Sequence, residues 1–223
     1  MTQAIIFDMD GTLLDSVDLN AQSWHEAFNA FGYAVSFEEA RAQIGKGGDH
    51  LLPTFLSEEA IEEHGDEIEE WRADRFRTRY LKLLKPFSAV PDLLKRLRDV
   101  GLKIAVASSA KQSELEKYLD MVGIRDLVDV TTCSDDAESS KPDPDIFQSA
   151  LQKLGVAPDH AIAIGDTPYD AQAAAKAGMR SIGVLCGGFT EQSLLDAGCC
   201  AVYPGPAALL ACLDQSPIMQ SHR

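Results

Sequence analysis

Ala4-Ile5-Ile6-Phe7-Asp8-Met9-Asp10-Gly11-Thr12 is the stretch on which the reading of this 223-residue chain turns. Four apolar residues in a row, within four positions of the start, read as a strand over Ala4–Met9 that is covered on both faces. Two carboxylates two apart close it, and Gly11 then turns the chain and aims both into one crevice. Asp is common at strand ends as a turn former, but that habit does not explain two of them on an apolar strand without a basic neighbour. Buried together they repel, and a hard divalent cation with oxygen ligands is the simplest relief.

Outward from that segment, five more short apolar runs read as strands: Lys103–Ser108, Val128–Thr132, Ala161–Gly165, Arg180–Val184 and Ala201–Tyr203. Helical patterns alternate with them from Lys103 onward. Pro91–Val100 stops at Gly101, Lys111–Val122 at Gly123, Asp143–Leu154 at Gly155 and Tyr169–Ala177 at Gly178. Phe147, Ala150, Leu151 and Leu154 keep i, i+3, i+4, i+7 spacing. This β-α alternation predicts an α/β fold, a doubly wound, Rossmann-like parallel sheet. Residues 15–85 break the rhythm. They are helical without a strong strand, with Trp24, Ala27, Phe28 and Phe31 on one face, an interruption at Gly45–Gly48 and Pro53, and a long polar helix from about Ser57 to Leu84. The expected organisation is a core of residues 1–14 and 86–223 with an inserted α-helical cap domain, 15–85. Residues 215–223 read as a frayed end.

Composition narrows the class. Apolar residues are 45% and charged residues 25%, with a formal net charge of −15. Such acidity works against nucleic acid and anionic membranes as partners, so any phosphate site must build its own local positive field. Five cysteines without a C-x-x-C pair suit free thiols in a reducing compartment. With no signal-peptide pattern and no membrane-length apolar run, the expected location is cytoplasmic.

Three further groups fall at predicted carboxyl ends of strands, where open α/β sheets bind ligands. Ser108-Ser109-Ala110 precedes a helix, so a hydroxyl and free N–H groups there form either a phosphate cradle or an ordinary Ser cap. Lys141 precedes Pro142-Asp143-Pro144 and reads as a cation for phosphate or carboxylate, or as a solvated lysine. Gly165-Asp166-Thr167-Pro168-Tyr169-Asp170 offers two carboxylates one helical turn apart, with N-capping by Asp166 as the plainer alternative.

In order and spacing these four segments resemble the haloacid-dehalogenase-like (HAD) superfamily of phosphohydrolases, and 15–85 is similar to the small helical cap of its phosphoglycolate phosphatase and β-phosphoglucomutase group. The resemblance implies a Mg²⁺-dependent phosphatase acting on a small phosphorylated metabolite. Asp8 would be the nucleophile and Asp10 the acid and base. Asp8, Asp10 (through its backbone carbonyl), Asp166 and Asp170 would serve the metal, and Ser108, Ser109 and Lys141 the phosphoryl oxygens. Asp10 speaks against dehalogenation, since dehalogenases of this type lack the second Asp. A phosphosugar mutase is the alternative, weakened by Asn20 where mutases of the group carry His. A non-catalytic module would be expected to show a broken motif, and none is broken. Asn20 and Lys46 are the candidate specificity residues. Lys46 lies in Gly45-Lys46-Gly47-Gly48, which resembles the glycine-rich cap loop. Arg72, Arg75 and Arg79, interleaved with Glu69, Glu70 and Asp74, read as a salt-bridged solvent face. The expected assembly is a monomer or homodimer.

Overall fold

The strand pattern that looks uniformly apolar in the sequence is in fact two alternating patterns of different size. On Lys103–Ala107 the large Ile104 and Val106 face one side and Ala105 and Ala107 the other; on Ala161–Gly165 the large Ile162 and Ile164 oppose Ala161 and Ala163. The side of large residues packs on the helices Val90–Asp99, Gln112–Val122 and Pro206–Ala211. The alanine side receives Asp145–Leu154 and Pro168–Lys176, with Phe147 fully buried against it. Burial of each large side chain contributes about 1.5–3 kcal/mol, and the period of two assigns each residue its face.

The computed structural model describes residues 1–220. Its strands are β1 (Ala4–Phe7), β2 (Leu14–Asp15), β3 (Lys85–Pro86), β4 (Lys103–Ala107), β5 (Val130–Thr132), β6 (Ala161–Gly165), β7 (Arg180–Val184) and β8 (Ala201–Tyr203). Six form one parallel sheet in the order β5-β4-β1-β6-β7-β8, a doubly wound Rossmann-like architecture. β1 lies in its interior. Phe7 pairs with both Val106 and Ile164, so the residues just beyond them emerge together at the carboxyl edge, where the crossovers diverge.

Residues between β2 and β3 are helical: Val17–Ala30, Phe37–Arg41, Gly48–Phe55 and Glu58–Arg75, followed by a wider π-type turn at Phe76–Tyr80. They hold an apolar cluster of their own, centred on Trp24, Phe28, Leu51, Leu52 and Ile68. Pro53 does not interrupt the chain there as expected. It sits inside Gly48–Phe55, where its missing N–H leaves only the Asp49 carbonyl without its helical donor. The segment also starts and ends in a ladder too short to show a periodicity: Leu14 pairs with Pro86 and Asp15 with Lys85, antiparallel.

Two end assignments change. Residues 215–220 are not frayed, because Ser216 and Ile218 are fully buried and Pro217–Gln220 is helical; the remainder of that expectation, 221–223, lies outside the described residues. The helix placed at Asp143 begins at Asp145, with Pro144 at its cap.

Candidate active site

Asp8 follows β1 directly, and its backbone N–H donates to the Ile164 carbonyl (2.8 Å), which ties the residue to β6. Its side chain meets Lys141. That lysine reads equally well as a solvated residue in the sequence, yet it is only 1% exposed. Its ammonium donates to Asp8, lies 2.7 Å from Asp170 Oδ1, and reaches the Ala107 carbonyl at 3.3 Å. The aromatic ring of Phe147 stands 5.4 Å away. A buried ammonium needs partners of this kind, because an unpaired one costs several kcal/mol.

Asp166 and Asp170 approach from β6 and the helix after it. Asp166 does not cap that helix. Thr167 does, accepting from the Asp170 backbone N–H (3.2 Å) while Asp170 accepts from the Thr167 N–H (3.1 Å). Asp166 is thereby left free. Its Oδ1 accepts from Thr12 (3.0 Å), whereas its Oδ2 is fully enclosed without a hydrogen-bond donor. Two glycines close over it. A Cβ on Gly11 would stand 2.3 Å from Asp166 Oδ2, and one on Gly187 1.7 Å. Gly11 also has φ +79°, a conformation that favours glycine.

Asp8, Asp166 and Asp170 offer oxygens that all lie within 4.8 Å of one another. Three buried carboxylates share one ammonium, a deficit of two positive charges. Burial pushes Asp8 up to about 7, with Lys141 opposing and the charges of Asp170 and Asp10 adding to the rise. Asp166 is held well above the ordinary carboxylate range by burial and by Asp8 and Asp170. Burial pulls Lys141 down, but the charges of Asp170 and Asp8 outweigh it, so the ammonium is retained. The orphaned oxygen and the charge deficit fit a hard divalent cation.

Asp10 lines the same cavity as Asp8 but stands apart from this cluster. It is partly exposed, and its Oδ1 accepts from Ser16 (2.6 Å) and Asn20 (3.1 Å). Ser16 stands at the N-cap of Val17–Ala30 but makes no capping bond; its hydroxyl donates to Asp10. The side chain of Asp10 therefore does not join the carboxylate cluster. Burial raises Asp10, opposed by the Ser16 hydrogen bond and the Arg72 charge.

Ser108 is fully buried, and its hydroxyl accepts from the Ala110 N–H (3.1 Å). It is no helix cap: the helix begins at Gln112, after Lys111. Ser109 lines a cavity of about 890 Å³ together with Asp8, Asp10, Asn20, Lys46 and Arg72. Lys46 is partly buried, donates to Gln43 (2.6 Å) and stands over the Tyr169 ring at 5.0 Å.

The arginine stripe divides. Arg75 pairs with Glu26 at 2.5 Å, as a surface face would. Arg72 instead turns into the cavity, over the rings of Trp24 (5.2 Å) and Phe76 (5.3 Å), and donates to Asn20 Oδ1 (2.6 Å). Charge spacing alone could not separate the two. The aromatic residues that hold Arg72 lie 48 residues before it and four after. Thr12 and Ser16 were also not legible as site residues, although both follow the Asp pair within six positions.

Gly47 and the first turn of Gly48–Phe55 close onto the sheet edge. Gly47 N–H donates to Ser140 (2.9 Å), Asp49 accepts from the Ser140 N–H (2.9 Å), and His50 meets Asp143 at 3.1 Å. Tyr169 donates to the Ala42 carbonyl (3.0 Å).

Residues 5–184 match the family described as haloacid dehalogenase-like hydrolase. The chain is 29% identical to the phosphoglycolate phosphatase of Aquifex aeolicus (strain VF5), over 83% of this chain and 85% of that one. It is 26% identical to the phosphorylated carbohydrates phosphatase of Thermotoga maritima, over 90% and 93%. A crystal structure of a hydrolase from Pseudomonas syringae superposes with a TM-score of 0.89 at 30% identity, covering 96% of this chain and 99% of that one. The chain belongs to the haloacid dehalogenase-like hydrolases. As an enzyme it is a phosphatase, acting on phosphorylated substrates.

Proposed function

We propose that this phosphatase hydrolyses a small phosphomonoester, of the phosphoglycolate or sugar-phosphate type, through a phosphoryl group carried on Asp8, with Mg²⁺ as its cation. The observation that supports the reading is the enclosed cluster in which three carboxylates share one lysine and one oxygen of Asp166 has no donor. Residues available to the cation are Asp8, Asp166, the backbone carbonyl of Asp10 and, beside them, Asp170. When bound, Mg²⁺ would neutralise charge on the phosphoryl oxygens and on Asp8.

An Asp8 oxygen attacks phosphorus, and the bond from phosphorus to the substrate oxygen breaks. Asp10 gives its proton to that leaving oxygen. A water then attacks the phosphorus of the aspartyl-phosphate while Asp10 takes its proton, and Asp8 leaves as a carboxylate. Lys141 holds charge beside Asp8 through both steps, and Ser108 and Ser109 bound the phosphoryl site. Residues 15–85 act as a cap over residues 1–14 and 86–223, closing to exclude water and opening to release product. Asn20 and Lys46 bear on substrate choice, since a cation over Tyr169 at the cavity wall suits a carboxylate or a polyol oxygen. Free thiols at Cys133, Cys186, Cys199, Cys200 and Cys212 suit a reducing, cytoplasmic setting. Among the described residues no helix is long and apolar enough to cross a membrane.

The test is phosphate release across a panel of phosphorylated metabolites with Mg²⁺, joined to mass spectrometry of Asp10→Asn after brief exposure to substrate. Free phosphate and a phosphorylated Asp8 are expected. Phosphate release that persists in Asp8→Asn would overturn the nucleophile. Conversion of one sugar phosphate into another without free phosphate would favour the mutase.

A further inference from the structure

The first turn of Gly48–Phe55 lines the cavity beside Lys46 and has the makings of an anion subsite. Gly47 supplies no capping side chain, and the N–H groups of Gly48 and Asp49 find no acceptor among the described residues. A carboxylate of the chain already stands there. Glu69, on Glu58–Arg75, lays its side chain against Gly48: a Cβ at that glycine would lie 1.6 Å from Glu69 Oε1 and 2.6 Å from its Cδ. Only glycine admits that approach. The Glu69 oxygens carry no hydrogen bond or ion pair among the described residues, and they line the cavity that holds Asp8 and Asp10.

The neighbouring charges lean the same way. Arg77 is paired with Asp74 at 2.6 Å and Arg72 is engaged with Asn20, whereas Asp66 and Glu70 stand without an ion pair among the described residues. A second phosphate on the substrate would bring nearly two negative charges against Glu69, and like charges in close contact are costly. A hydroxyl would instead donate to the same carboxylate.

We propose that Glu69 is a specificity-determining residue that reserves the distal end of the cavity for hydroxyl groups and excludes a second phosphate. The substrate class is then a polyol or sugar carrying a single phosphate. The proposal rests on the reading above, in which that phosphate is the one Asp8 attacks. A Glu69 that merely steadied the helix N-terminus would change stability and leave the choice between ligands as it was.

The experiment measures inhibition of p-nitrophenyl phosphate hydrolysis, with Mg²⁺ in excess, by fructose 6-phosphate and by fructose 1,6-bisphosphate. Wild type is compared with Glu69→Gln, Glu69→Ala and Glu67→Gln. Glutamine keeps the shape and an acceptor oxygen while losing the charge. Glu67→Gln removes the same charge from the same helix outside this cavity. In Glu69→Gln the bisphosphate should gain about tenfold in binding relative to the monophosphate. In Glu67→Gln the ratio of the two should stay within about twofold of wild type. Glu69→Ala should favour the bisphosphate likewise and also weaken fructose 6-phosphate by about threefold or more relative to Glu69→Gln, since the acceptor is gone. An unchanged ratio in Glu69→Gln, or an equal change in Glu67→Gln, would overturn the exclusion of a second phosphate. Equal binding of fructose 6-phosphate by Glu69→Ala and Glu69→Gln would overturn the hydroxyl contact. Asp8→Asn separates the two levels: p-nitrophenyl phosphate hydrolysis that survives it removes the reading of the site, whereas hydrolysis lost there with no effect at Glu69 removes only this inference.

Discussion

The floor and the wall of the cavity are built on different terms. The floor is Asp8 and Asp166, one step beyond parallel strands, Asp170 in the first helical turn after one, and Lys141 in the segment just ahead of Asp145–Leu154, all nearly inaccessible. The wall carries Lys46 and Arg72 on a loop and a helix, both partly exposed and held through aromatic rings and single hydrogen bonds. On the floor every charge depends on its neighbours, so no member is replaceable without cost. The wall groups are individually adjustable. Fixed chemistry below and variable recognition above follow from that difference in burial.

The sharpest way to break the comparison is Asp8→Asn. It should lower kcat by about 10⁴-fold or more for every substrate alike, because a covalent route loses its nucleophile; a substrate-selective loss in steady-state assays would place Asp8 outside the common chemistry. Next is Lys141→Met, which leaves buried carboxylates without their cation. Equilibrium urea unfolding should show a loss of about 3–5 kcal/mol together with loss of activity. A cost below about 1 kcal/mol, the level of an exposed pair, would show that the floor is not the interdependent cluster described.

A third test reads the floor without altering it. Burial raises Asp8 and Asp166 above their unfolded values in the metal-free protein. The native state then binds more protons than the unfolded chain, so this contribution to stability is present below the unfolded carboxylate range and is lost as pH rises towards about 7. A divalent cation relieves the charge that causes the loss. The stabilisation by Mg²⁺ over EDTA should therefore grow between about pH 5 and pH 7 in thermal unfolding. A flat or falling difference would remove the cation from this cluster. The smallest effect belongs to the wall: Lys46→Met should raise KM for a carboxylate-bearing phosphate by about tenfold, with kcat on p-nitrophenyl phosphate unchanged. A general loss of kcat would make Lys46 part of the floor.

What the sequence revealed follows the same division. Strands β1, β4, β6, β7 and β8 and the helices Val90–Asp99, Gln112–Val122, Asp145–Leu154 and Pro168–Lys176 declare themselves because apolar runs, glycine stops and strand-end carboxylates are local signals, whereas the short helices Glu191–Asp196 and Pro206–Ala211 do not. Asp8, Lys141, Asp166 and Asp170 were nameable as a set for that reason. Their geometry was not, since Lys141 pairs with Asp8, 133 residues before it in the chain, and with Asp170 from a third element. Arg72 was misread because an i, i+3, i+7 charge stripe is the same string whether its first member faces water or a ring from another helix. Ser16 was not legible because nothing local in the sequence shows that its hydroxyl donates to Asp10, six positions before it.

The two-residue ladder of β2 and β3 has a further consequence, for how sequence change is absorbed. Phe87 N–H also donates to the Leu13 carbonyl, at 3.1 Å, so the ladder joins the two ends of an excursion of some seventy residues. Loop-closure entropy rises only slowly with length, and here the closure is made by backbone groups, which any residue other than proline supplies in full. Lengthening, shortening or replacing what lies between would leave Leu13–Asp15 and Lys85–Phe87 with the same partners. The backbone at the two crossings is thus set independently of the segment above it, and what a changed segment must renew is its side-chain contacts with the sheet edge, such as those of Asn20 with Asp10 and Gly47 with Ser140.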